Sequence, residues 1–77
     1  MDIDGEKLRR ARALAAMTLR ELAEASGVAF STIWQLESGR REARPSTVRK
    51  LAAALGVMPA DLIPDDGADN VGKALAA

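Results

Sequence analysis

Seventy-seven residues allow one domain, and so short a chain is only marginally able to build a core, so a compact helical bundle or help from a partner is expected. The absence of Cys and His excludes a disulfide framework, thiolate or imidazole metal sites and the usual general base, so no metal or cofactor is expected, and carboxylates and hydroxyls are the only catalytic groups left. Formal charge is zero, yet residues 7 to 56 hold ten of the eleven basic residues and four of the eleven acidic ones, a net +6 between acidic ends; that asymmetry points to a polyanionic partner or to an ordinary solvated surface.

Ala, Leu, Arg and Glu recur throughout while strand-like β-branched runs are absent, which predicts an all-α chain. Five helices are expected. The first runs from Gly5 to Ala16, capped by Asp4, with Leu8, Ala11 and Ala15 at helical spacing. Thr18 caps a second, from Leu19 to Ser26, with Glu21 completing a capping box and Leu22 and Ala23 facing inward. Gly27 suits a left-handed turn, and Val28 re-enters the core. The third helix covers Phe30 to Ser38 and stops at Gly39. RREAR then forms a charged loop. Pro45 opens a fourth helix, Ser46 to Leu55, whose Val48, Leu51, Ala52 and Leu55 form an apolar stripe ended by Gly56. A short fifth helix spans Pro59 to Ile63. Residues 1–64 therefore read as one domain, and 65–77 as a polar, Gly-interrupted tail, flexible or partly helical.

Leu19, Ala23, Gly27, Val28, Ile33 and Leu36 have the spacing of two helices crossing through a tight turn: a small residue at the close approach, a glycine in the turn, and branched apolar residues sealing the second helix onto the first. An unrelated αα-hairpin would show part of this pattern. With LRRAR, TLRELAEASGV, STIWQLESGRR and PSTVRKLAAALGV in that order, the chain resembles the phage-repressor and Cro type of helix-turn-helix DNA-binding domain, the lambda-repressor-like or XRE-type fold, from about Leu8 to Leu62. The resemblance implies a five-helix fold whose third helix enters the major groove of double-stranded DNA, usually as half of a symmetric homodimer. Departures from the family pattern are Leu19 for a phosphate-holding Gln, Ala16 for a Gly, Ser26 for an apolar residue and Ala29 for a Ser or Thr cap.

At about 100° per residue, Ser31, Gln35 and Ser38 fall opposite Ile33 and Leu36, Trp34 flanks that outward stripe, Phe30 lies between core and solvent, and Glu37 is inward. Gln35 is the leading base reader, because an amide both donates to and accepts from an adenine edge. Ser31 suits a base or a phosphate. Phe30 suits a thymine methyl or the core edge, and Trp34 a base edge, the sugar-phosphate wall or a protein interface. Thr18, Arg20, Ser38, Arg40, Arg41 and Arg44 surround this surface as phosphate candidates, beside the amide-bearing starts of the second and third helices. Arg12 and Glu37 match a family ion pair between the first and third helices. Met58, Leu62 and Ile63 are candidates for a dimer contact or for completing the core.

The leading expectation is a sequence-specific DNA-binding regulator acting as a repressor on a two-fold operator. A protein-interaction module that docks a protein partner through Trp34 and Phe30, as an antitoxin or accessory subunit would, is the alternative. Catalysis is not expected, because no paired carboxylates or activated nucleophile can be placed in a cleft. No small-molecule ligand is evident. Neither a signal-peptide pattern nor a membrane-length apolar run occurs, so a cytoplasmic protein, nucleoid-associated when bound to DNA, is expected. A separate sensor domain is not expected at this length.

Overall fold

The computed structural model describes residues 2–64. The polar segment 65–77, set apart above as a tail, lies outside them. Within the described residues the chain forms four α-helices, α1 (Gly5–Leu14), α2 (Leu19–Ser26), α3 (Phe30–Glu37) and α4 (Pro45–Leu55), followed by a 3₁₀ turn, Pro59–Leu62, and no strand.

Local chemistry sets the starts of these helices. Asp4 Oδ1 accepts from the Glu6 and Lys7 amides at 2.9 and 3.2 Å, capping α1. Thr18 Oγ1 accepts from the Glu21 amide at 3.0 Å while Glu21 Oε1 accepts from the Thr18 amide at 2.8 Å, a closed capping box on α2. Ala29 gives α3 no side-chain cap, and Pro45, whose missing N–H costs nothing at a helix start, opens α4.

The ends use left-handed residues. Gly27, Gly39 and Gly56 adopt φ of 76°, 75° and 72°, and the same role at the end of α1 falls to Ala16, at φ 57°. The Ala16 amide donates to Ala13 and the Met17 amide to Arg12 at 3.0 and 3.1 Å, a Schellman closure that stops α1 at Leu14 instead of the expected Ala16. A side chain in this conformation costs roughly 1–2 kcal/mol. Ala15, placed at core spacing by sequence, is exposed, as are Ala13 and Leu14 before it. At the end of α3, Ser38 lies just past the last helical residue, since Gly39 turns the chain and lets the Arg40 amide donate to the Gln35 carbonyl at 2.9 Å.

The fifth helix is corrected to a four-residue 3₁₀ turn. Pro59 removes a donor at its start, Pro64 follows closely behind, and too few residues lie between for an α-helical ladder. The Asp61 amide donates to Met58 O at 2.9 Å, and the Asp61 carboxylate accepts from the Met58 amide at 2.9 Å. This turn is tied to α1: the Asp4 amide donates to Leu62 O at 2.8 Å, and Lys7 Nζ to Ile63 O at 3.0 Å.

The core is a single cluster of Leu8, Leu22, Val28, Ile33, Leu36, Ala43, Val48, Leu51, Ala52, Leu55 and Leu62. It draws on all four helices and the 3₁₀ turn, and full burial of each Leu, Ile or Val contributes about 1.5–3 kcal/mol. Leu62 is fully buried, so its side chain has no surface for a second copy and leaves the set of dimer candidates; Ile63 packs half-buried at the core edge and Met58 is 67% exposed. Ala43, inside the loop read as merely charged, is 4% exposed and anchors that loop. Gly5 is where α1 crosses the end of α3, since a Cβ there would collide with the Glu37 carbonyl and come within 2.6 Å of that of Leu36. No described helix is long and apolar enough to cross a membrane.

Candidate nucleic-acid interface

α3 is held from behind and open in front. Ile33 and Leu36 are fully buried, and Glu37 on the same side meets α1: Arg12 Nε donates to Glu37 Oε2 at 2.7 Å and Arg12 Nη2 to Oε1 at 3.0 Å. The side chains are 18% and 9% exposed, so this bidentate pair is nearly dry. Arg12 Nη1 also donates to Met17 O at 3.0 Å, joining α1, the α1–α2 loop and α3. The bond to Glu37 raises the Arg12 pKa further above its already high value, against the opposing effect of burial.

On the other side, Phe30, Ser31 and Trp34 are exposed and Gln35 is half-buried. Three arginines from outside α3 lie on three of these residues. Arg20, on α2, sits over the Phe30 ring at 5.7 Å from its centroid, and Arg40 sits over Trp34 at 5.4 Å. Arg41 Nη1 donates to Gln35 Oε1 at 3.2 Å. A cation over an exposed ring is worth about 0.5–1 kcal/mol, enough to bias a side chain without locking it. The aromatic pair therefore faces solvent on the side away from the core, with a positive charge stacked on each ring.

The remaining sequence candidates are placed less uniformly. Thr18 is exposed, and its hydroxyl oxygen is already the cap of α2. Ser38 is exposed, but its hydroxyl donates to the Trp34 carbonyl at 2.8 Å and lies 3.3 Å from that of Gln35, so its proton is committed within the helix end. Arg44 precedes α4 and shares with Arg41, Thr32, Thr47 and Lys50 a polar cleft beside Gly27 and Val28. Thr32, Thr47 and Lys50 were not singled out by sequence reasoning; the i, i+3 spacing of Thr47 and Lys50 on α4 was the available signal. Met58 and Ile63 lie near the 3₁₀ turn, away from this cleft's lining. Leu14, also missed, is 83% exposed and lines a separate open cleft with Leu55, Val57 and Ala60.

A sequence model of the helix-turn-helix domain matches residues 5–64, which is α1 through the 3₁₀ turn. The chain belongs to the helix-turn-helix domain family. Two relatives come from Bacillus subtilis (strain 168): the uncharacterized HTH-type transcriptional regulator RghRB, 41% identical over 54 residues, covering 69% of this chain and 39% of that protein, and the HTH-type transcriptional repressor RghR, 40% identical over 58 residues, covering 74% and 43%. The chain thus spans about two fifths of the length of the curated relatives it matches. Among solved structures, the restriction-modification controller protein C.AhdI of Aeromonas hydrophila superposes with a TM-score of 0.74 at 32% identity, covering 77% of this chain and 89% of that one. An HTH_3 family transcriptional regulator from Vibrio cholerae reaches 0.71 at 23% identity over 74% of this chain and 32% of its own, a likeness of fold alone. Within the matched residues α2 and α3 are joined by the Gly27 turn, and the exposed, arginine-ringed face belongs to α3.

Proposed function

We propose that this protein is a sequence-specific regulator of transcription that binds double-stranded DNA, acting as a repressor on a two-fold operator as a homodimer with α3 in the major groove. The observation that carries the reading is the division of α3: Ile33, Leu36 and Glu37 are sealed against the core, while Ser31, Trp34 and Gln35 face outward beside Arg40 and Arg41. A second helix of this motif placed in a major groove reads base edges through its outer face, and flanking arginines neutralise phosphates. Net +6 over residues 7 to 56 supplies the attraction. The repressor name of one relative and the controller name of the structural neighbour favour regulation over a purely architectural role.

Phe30, Ser31, Trp34 and Gln35 are assigned to the bases, and Thr18, Arg20, Arg40, Arg41 and Arg44 to the backbone, with Ser38 joining them only if its hydroxyl turns away from the Trp34 carbonyl. Arg12 and Glu37 are assigned an architectural role, and Met58, Ile63 and Leu14 the contact with the second copy. The half-exposed aromatics, 45% for Phe30 and 47% for Trp34, favour a second reading in which the same face docks a protein partner. Salt separates the two. Titrating the chain with duplexes selected from a random pool should show affinity falling steeply, by an order of magnitude or more, between about 50 and 200 mM salt. Gln35→Ala should cost about 1–3 kcal/mol on the preferred site and almost nothing on unrelated duplexes. Salt-insensitive or undetectable duplex binding would sink the DNA reading in favour of the protein contact.

A further inference from the structure

We propose that Arg41 and Gln35 form one reading unit that selects guanine over adenine at the base it meets. The inference rests on the DNA-binding reading above and changes it at one residue, moving Arg41 from the backbone contacts to the bases.

An arginine guanidinium carries donors and no acceptor, so the Gln35 amide can face Arg41 only with its oxygen. The 3.2 Å bond from Arg41 Nη1 to Oε1 therefore sets the direction of the amide and leaves the Nε2 amino group turned elsewhere. The backbone supports this arrangement. Gly39, at φ 75°, turns the chain back so that the Arg40 amide donates to the Gln35 carbonyl at 2.9 Å, and the next residue is Arg41.

A lone glutamine reads adenine by accepting from the N6 amino group while donating to N7. Here the oxygen already receives a charged donor; its second lone pair stays open, but an N6 amino group using it would sit beside the guanidinium, donor next to donor. Guanine poses no such conflict, because O6 and N7 are both acceptors. The Gln35 amino group can donate to one and an unused guanidinium N–H to the other. A unit with several free donors, one remaining lone pair and a positive charge matches that edge of guanine better than the edge of adenine.

The test selects bound duplexes from a random pool with the full chain, with Gln35→Ala and with Arg41→Ala, then measures affinities for the four bases at each enriched position. Arg41 is exposed, and unchanged melting of its variant confirms that folding is retained. The base pair whose preference collapses in Gln35→Ala should be guanine for the unsubstituted chain, favoured over adenine about tenfold or more. In Arg41→Ala that preference should disappear or move to adenine, with other positions unchanged. Adenine at this position in the unsubstituted chain overturns the pairing and leaves the DNA reading standing. The pairing is likewise overturned if Gln35→Ala alters no position, if Arg41→Ala keeps the guanine preference, or if Arg41→Ala weakens all sequences equally. No enrichment by the unsubstituted chain would remove the DNA reading itself, and this inference with it.

Discussion

The two sides of α3 are built by opposite rules. Toward the core, contacts are apolar and fully buried, and the one charged group, Glu37, is held by two bonds from Arg12. Toward solvent, each side chain is restrained by at most a single arginine, through a ring face at 5.4 or 5.7 Å or one hydrogen bond at 3.2 Å. The inner side cannot be altered without cavities, clashes or orphaned charge. The outer side stays adjustable, so its residues can change what is recognised while the fold stays the same.

Three variants break or sharpen this contrast. Glu37→Ala should be the most damaging, because it removes both carboxylate bonds from Arg12 in a mostly shielded site and leaves it only the bond to Met17 O. We expect a loss of about 3 kcal/mol by thermal or urea unfolding, and a melting curve identical to that of the parent would show that the pair contributes nothing. Gly5→Ala tests the same inner side through the backbone. Its Cβ would strike the Glu37 carbonyl, a group fixed in the helix, so roughly 1–3 kcal/mol should be lost despite the better helix propensity of Ala. Unchanged or raised stability would mean that α1 and α3 can separate at no cost. On the outer side, Gln35→Ala should shift unfolding free energy by no more than about 0.5 kcal/mol while abolishing the sequence preference described above. A large stability loss there would erase the distinction between the two sides.

Much of the framework was legible in the sequence. The caps at Asp4 and Thr18, the glycine stops at Gly27, Gly39 and Gly56, and the stripe Val48, Leu51, Ala52 and Leu55 are local signals, and each falls where its chemistry requires. The misreadings share a different cause. Ala16 took a conformation that glycine favours, so α1 ended early, at a stop no residue type announced. Two prolines left room for a 3₁₀ turn where a fifth helix was expected. Ala43, read as part of a charged loop, was drawn into the core by elements distant in sequence, and the same packing settled Leu62, which the sequence left between a dimer contact and the core, as a core residue.

Sequence by itself determined the helical framework, the order of its elements and the side of α3 that turns inward, because capping, glycine stops and apolar periodicity act over only a few residues. Tertiary structure alone decided which arginine meets which outward side chain, and that Leu62 belongs to the core. Those contacts depend on the path of a loop and on the packing of remote segments. A long, flexible arginine can reach several partners until the chain has folded around it.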